Sequence, residues 1–226
     1  VLPKADIWLG GPEVSFESEK LLGELPMVKG IMAGEGEETF RELLSFYACR
    51  SGEGISCRYQ RMEDIPGLVL RQGKTAPREL LEMDRLPFPY EELKDLKNKI
   101  IYYEASRGCP FRCSYCLSAC ERKVRLRSTD MVKKELQFFL EKRVPQVKFT
   151  DRTFNCSPVH AMEIWQYIKE HDNGVTNFHF EIAAYIMDEE ELALLKSLRP
   201  GLVQLEIGVQ STNGRTLKEI NRSTDI

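Results

Sequence analysis

The sequence predicts an α/β protein: part of one parallel-sheet domain, a linker, and the opening units of a second parallel sheet. Three observations carry this expectation. Short apolar runs end repeatedly at glycine turns and lead into stretches of helical spacing, the pattern of βα units. A proline-marked stretch separates two such regions. The chain has 226 residues, 42% apolar and 30% charged, which is globular composition and enough length to bury a core.

The first region covers residues 1–60. Ile7-Trp8-Leu9 reads as a strand ending at Gly10-Gly11-Pro12. Ser15 to Leu22 reads as a short helix, and Val28 to Ala33 as a second strand. Gly34-Glu35-Gly36 breaks that strand and opens a helix with Phe40, Leu43, Leu44 and Tyr47 at helical spacing. Gly54 to Tyr59 is expected to add a short strand. Strand, glycine turn and helix in repetition describe a doubly wound, flavodoxin-like or Rossmann-like sheet. Residues 61–99 hold Pro66, Pro77, Pro87 and Pro89 and read as a linker with one short edge strand at Leu68-Val69-Leu70.

Residues 100–226 form the second region. Ile100-Ile101-Tyr102-Tyr103 is a strand leading into a cysteine-rich loop. Ser128, Thr129 and Asp130 can cap a helix whose inward stripe is Val132, Leu136, Phe139 and Leu140. Val147 to Thr150 is the next strand. Ser157-Pro158 starts a helix with Met162, Trp165 and Ile168 inward and Gly174 past its end. Phe178 to Ile182 is a third strand. Asp188 and Glu191 have capping-box spacing, ahead of a helix through Leu192, Leu195 and Leu198. Leu202 to Val209 is a fourth strand, and Ser211 to Ile220 a last helix. Four βα units in a row point to a partial parallel (β/α) barrel or an open sheet. A start on Val1 within an apparent strand, and an end before a barrel could close, suggest an excerpt of a longer protein.

The net charge of −3 argues against a strongly basic nucleic-acid binder or a polybasic membrane surface. No apolar run approaches the roughly 18 residues of a membrane span, and no secretory signal is visible. Seven cysteines, an odd number, then read as cytoplasmic thiols rather than a disulfide framework.

Four of those cysteines lie close together. Cys109, Cys113 and Cys116 have the spacing C-x3-C-x2-C, and Cys120 follows. Three thiolates on one short loop can hold three irons of a cubane and leave the fourth iron open, as reactive metal sites require. Two other readings compete. A structural zinc knot usually has two separated C-x2-C pairs. A closed four-cysteine electron-transfer cluster would recruit Cys120, in a spacing near that of bacterial ferredoxins but without their following proline.

The loop resembles the cluster motif of the radical S-adenosylmethionine (SAM) superfamily, C-x3-C-x-aromatic-C, with Tyr115 in the aromatic place. The resemblance implies a [4Fe–4S] cluster on Cys109, Cys113 and Cys116. SAM would chelate the fourth iron and be cleaved reductively to a 5′-deoxyadenosyl radical that attacks substrate. It further implies Tyr115, Asp151 after the second strand, Glu181 on the third, and Gln210 and Arg222 near the fourth as SAM contacts. Leu205 to Ser211 is similar to the fourth-strand segment of oxygen-independent coproporphyrinogen oxidases and their relatives. An amide suits a ribose diol and a guanidinium a carboxylate. Asp151 could instead cap a turn, Glu181 form a salt bridge and Arg222 stay solvated. The basic run Arg122 to Arg127 could face SAM, substrate or an acidic reductant, or be a solvated surface.

Ile7 to Glu13 and Ile31 to Glu37 resemble the later strands of the cobalamin-binding domain that precedes the SAM barrel in one large subfamily. The resemblance implies Gly10, Gly11, Gly34 and Gly36 as cobalamin-facing residues; ordinary βα turns are the alternative. Glu35, Glu37 and Glu38 would repel a phosphate, against a dinucleotide site. The Asp-x-His-x-x-Gly motif of base-off cobalamin sites fits none of His160, His171 and His179. The whole resembles the group containing anaerobic magnesium-protoporphyrin monomethyl ester cyclase and cobalamin-dependent radical methyltransferases. That implies an enzyme with a small-molecule substrate and a flavodoxin or ferredoxin as reductant. A cobalamin-free radical SAM enzyme and a non-catalytic iron–sulfur carrier are the alternatives. Methylthiotransferases fit less well, because Cys49 and Cys57 cannot supply three further cluster ligands.

Overall fold

A computed structural model describes residues 5–51, 56, 58–90, 99–120 and 123–222, without the side chains of residues 119 and 120. The chain divides into two compact units, Val1–Leu81 and Glu82–Ile226. The division falls inside the stretch read as a linker.

In the first unit, β1 (Ile7–Gly10) leads through α1 (Pro12–Ser15) and α2 (Ser18–Glu24) to β2 (Val28–Met32), which pairs parallel to β1 with Leu9 opposite Ile31. The helix α3 (Glu37–Arg50) follows, then β3 (Leu68–Leu70) and β4 (Gly73–Lys74), both antiparallel to their neighbours, in the order β1-β2-β3-β4. Alternation along β3 shows two covered faces. Val69 packs with Leu22, Val28 and Ile31, whereas Leu68 and Leu70 pack with Leu43, Phe46 and Ile65. The sheet therefore has helical cover on both sides, as a doubly wound fold requires.

Three expectations change here. Leu68-Val69-Leu70 is an inner strand, buried along its length, because β4 covers its outer edge. On α3 the buried stripe is Thr39, Glu42, Leu43 and Phe46, while Phe40 and Leu44 are about half exposed. Both stripes have helical spacing, and a carboxylate occupies the buried one because Arg58 and Arg78 pair with Glu42. Cys49 is disulfide-bonded, so the thiol reading fails for it. Of the strand expected from Gly54 to Tyr59, Gly54, Ile55 and Cys57 lie outside the described residues, and Ser56, Arg58 and Tyr59 are not in a strand.

The second unit begins with β5 (Ile100–Tyr103). A short ribbon, β6 (Ser106–Arg107) with β7 (Arg125–Leu126), brackets the cysteine loop, and α4 (Thr129–Glu141) follows. Then come β8 (Gln146–Phe149), α5 (Pro158–Glu170), β9 (Asn177–Ile182), α6 (Glu189–Lys196), β10 (Val203–Ile207) and α7 (Gly214–Glu219). The four long strands form one parallel sheet in the order β5-β8-β9-β10, with Tyr103 opposite Phe149 and Leu205 opposite Phe180. Consecutive neighbours are what a barrel's opening units give; among the described residues the sheet is open.

One face of this sheet is the core. Ile101, Tyr103, Val147, Phe149, Phe178, Phe180 and Ile182 meet Val132, Leu136 and Phe139 of α4 and Ile164, Trp165 and Ile168 of α5. The rings of Phe149 and Phe154 lie 4.4 and 4.3 Å from that of Phe180. Each such side chain contributes about 1.5–3 kcal/mol of transfer free energy. Ser128 caps α4 through the N–H of Met131, and Asp188 and Glu191 form the expected capping box. Ser157 makes no capping bond; Pro158 alone marks the start of α5. Met162 is only half-buried, and on α6 Leu194 is the buried leucine, with Leu192 exposed.

Candidate functional site

The cysteine loop leaves the carboxyl end of β5 and is closed at its base by the β6–β7 ribbon, with Arg107 opposite Arg125. Gly108 has φ +95°, and a Cβ there would fall 2.5 Å from the Lys123 carbonyl oxygen. Only glycine allows the two limbs to approach this closely. Asp151, just past β8 and 1% exposed, accepts bonds from the Ala105 N–H (3.0 Å) and the Ser106 hydroxyl (2.5 Å). Burial pushes its carboxyl up to about 7, against the pull of those two bonds.

A second clamp comes from the residues after α7. The Ser114 N–H donates to the Ile220 carbonyl at 3.0 Å, and Asn221 Nδ2 donates to the Arg112 carbonyl at 2.8 Å. Arg222 Nη1 reaches Tyr115 Oη at 3.3 Å and Cys113 Sγ at 3.8 Å, while Nη2 donates to the Gly208 carbonyl. Arg222 Nε is buried with no hydrogen-bond partner. Gln210 has φ +66°, and a Cβ at Gly208 would come within 2.7 Å of its amide nitrogen. The bare Gly208 thus makes room for the Gln210 amide.

Cys113 is buried; Cys109 and Cys116 are half-buried. Cys109 Sγ lies 3.6 Å from the Thr153 hydroxyl. Asn155, fully buried, bonds to both the N–H and the carbonyl of Ala183, tying the loop after β8 to the loop after β9. The latter carries Tyr185, whose ring tilts onto Phe111 with centroids 5.5 Å apart. Burial raises the Tyr185 phenol above its ordinary value; Arg222 opposes that, and the Cys113 and Cys109 sulfurs add to it.

The structure thus brings Cys113, Tyr115, Gly208 and Arg222 together, with Cys109 against Thr153 and Cys116 joined through its N–H to the Cys113 carbonyl at 3.1 Å. Asp151 lies beneath the loop, facing its backbone. Glu181 stands apart, on the uncovered sheet face, 3.8 Å from Lys148. Thr153, Asn155 and Tyr185 escape sequence reasoning, since loop residues carry no periodicity. Cys156 is a free thiol pushed up to about 11 by burial and by the charges of Asp151 and Cys109, so it stays protonated. Arg127, the last of the basic run, is buried and bonded to Glu135 and to the Met83 and Leu86 carbonyls, so its guanidinium is held within the fold. The side chain of Cys120 lies outside the described ones.

Among the described residues no three Cys, His, Asp or Glu side chains gather around one point where a single ion could bind. A zinc knot needs that convergence. A cubane does not, because each thiolate meets a different iron. Three soft sulfur donors and the orphaned Arg222 N–H suit an iron–sulfur cluster with an anionic ligand beside it.

In the first unit the two glycine loops leave the carboxyl ends of β1 and β2. Ser15 bridges them: its hydroxyl donates to the Gly11 carbonyl at 2.8 Å and accepts from the Gly34 N–H at 3.0 Å. A Cβ at Gly11, Gly34 or Gly36 would meet nothing within 4 Å, whereas one at Gly10 would touch Met32. Glu35 is turned to the Leu81 N–H.

The family model of the radical SAM superfamily matches residues 103–226. The chain belongs to the radical SAM superfamily. An uncharacterized methyltransferase of Pyrococcus horikoshii is 27% identical over 95% of this chain and 47% of its own length. The anaerobic magnesium-protoporphyrin IX monomethyl ester cyclase of Rubrivivax gelatinosus is 24% identical over 96% of the chain and 41% of its own. The chain therefore spans less than half the length of these relatives. Among solved structures, the radical SAM methyltransferase TsrM from Kitasatospora setae, with cobalamin and a [4Fe–4S] cluster bound, matches with a TM-score of 0.73 over 99% of this chain and 46% of that one, at 18% identity. That likeness is one of fold. The superfamily match starts at Tyr103, the last residue of β5, and runs through the whole cysteine loop and the other three long strands.

Proposed function

We propose that this chain is the cluster-bearing part of a cobalamin-dependent radical SAM enzyme of the methyltransferase or cyclase type. The observation that carries the reading is the three-cysteine loop at the carboxyl end of a parallel sheet, held from two sides by Asp151 and by residues 220–222. Cys109, Cys113 and Cys116 would hold three irons. Bound there, the cluster and SAM would supply reductive cleavage of a sulfonium, with cobalamin in the first unit as methyl carrier or radical partner. Arg222 offers its remaining N–H to the SAM carboxylate, and the Gln210 amide faces the ribose. The Tyr185 ring, against Phe111, covers one side of the loop. Gly11, Gly34 and Gly36 leave open space for the cobalamin tail. The same reading takes a flavodoxin or ferredoxin as the reductant of the cluster. No helix among the described residues is long and apolar enough to cross a membrane.

The test is electron paramagnetic resonance on the full-length protein, reconstituted and reduced without oxygen. SAM is expected to perturb the reduced-cluster signal, and 5′-deoxyadenosine is expected in the quenched mixture. An unchanged signal and no nucleoside would leave only an electron carrier.

A further inference from the structure

The sheet face opposite α4 and α5 carries a charged group that the cluster site does not use. Glu181 on β9 and Glu206 on β10 are register partners. Their side chains stand side by side on one face, roughly 5 Å apart, an arrangement in which two carboxylates repel. Lys148, from β8, answers both. Its Nζ lies 3.0 Å from Glu206 Oε2 and 3.8 Å from Glu181 Oε1. His179, two residues before Glu181 and on the same face, is 9% exposed and places Nε2 3.1 Å from Glu206 Oε2. The Lys148 hydrogen bond holds Glu206 below the usual carboxylate range. Glu181 makes no hydrogen bond among the described residues, so its lone pairs stay open to a ligand's donors. Barrel interiors are usually filled by branched apolar side chains; here ionisable ones occupy neighbouring positions on three strands.

We propose that Lys148 is a positioning residue: its ammonium pins Glu181 against Glu206, so that Glu181 keeps one orientation toward SAM. The inference rests on reading Glu181 as a SAM contact. Lys148 acts through the carboxylate pair and does not touch the ligand. Without it, Glu206 drives the Glu181 carboxylate away.

SAM affinity of the full-length, cluster-loaded protein, measured by equilibrium dialysis at matched iron content, tests this. Lys148→Met is expected to weaken binding about fivefold at low ionic strength, the size of one unfavourable cross-strand charge pair. The deficit shrinks in high salt, where the repulsion is screened. Lys148→Arg binds as the parent does, and Glu206→Gln placed on Lys148→Met restores affinity. A Lys148→Met protein that binds SAM normally, or a double variant that does not recover, overturns the inference. Glu181→Gln tells the two failures apart. If it leaves affinity unchanged, the SAM role of Glu181 falls. If it weakens binding while Lys148→Met does not, only the positioning role falls.

Discussion

Asp151 shows how much one side chain can decide. It is a buried carboxyl whose two oxygens accept from the Ala105 N–H and the Ser106 hydroxyl, just ahead of the cysteine loop. Its position after the second strand was legible in the sequence; its direction was not, because spacing says nothing about which neighbour accepts a bond. Its folded-state pKa, about 7, stands above the unfolded value, so the native state binds more protons than the unfolded one between about pH 4 and pH 7. The stability it contributes is full below the unfolded pKa and is lost as pH rises through the folded one. Asp151→Asn is therefore expected to flatten the decline of stability toward pH 7, removing a slope of at most about 1.4 kcal/mol per pH unit. Urea unfolding of the parent and variant across that range checks it. The cysteine trio was readable because spacing is itself the signal. Tyr185 and Thr153 were not, because they meet Phe111 and Cys109 across turns far apart in sequence, which Asn155 ties to each other.

At the level of elements, the sequence was most informative where one rule governs alone. The capping box at Asp188, the Ser128 cap and the inward stripe of α4 appear as expected. It was least informative where two helical stripes compete, as on α3, where Arg58 and Arg78 make Glu42 a buried residue. Leu192 and Leu194 on α6 tell the same story in a short helix, where one register step decides which leucine is covered. An aromatic layer lies between sheet and helices in the core of the second unit. Phe139 is fully buried and its ring lies 5.3 to 6.0 Å from those of Phe88, Tyr90, Phe138 and Tyr103. Phe139→Ala is expected to cost about 3–5 kcal/mol, measured as a lower urea midpoint with an unchanged denaturant slope.

Taken whole, the molecule has two units with separate cores, and the proposed cofactors divide between them. Gly34, in the first, has φ +79° and open space where a side chain would project. Gly34→Val is expected to lower cobalamin retention at least severalfold while iron content stays unchanged. Absorbance of the bound corrinoid and an iron assay on the same full-length sample check both halves; parallel loss of iron would show that the two cofactors are not independently held. The clamp after α7 has a further consequence, for biogenesis. Arg112 finds its partner 109 residues downstream, at Asn221. During synthesis, the cysteines emerge from the ribosome well before the segment that fastens their loop. A cluster assembled on this loop, as proposed, would meet its fastened receptor only after the fourth strand and its helix have been translated.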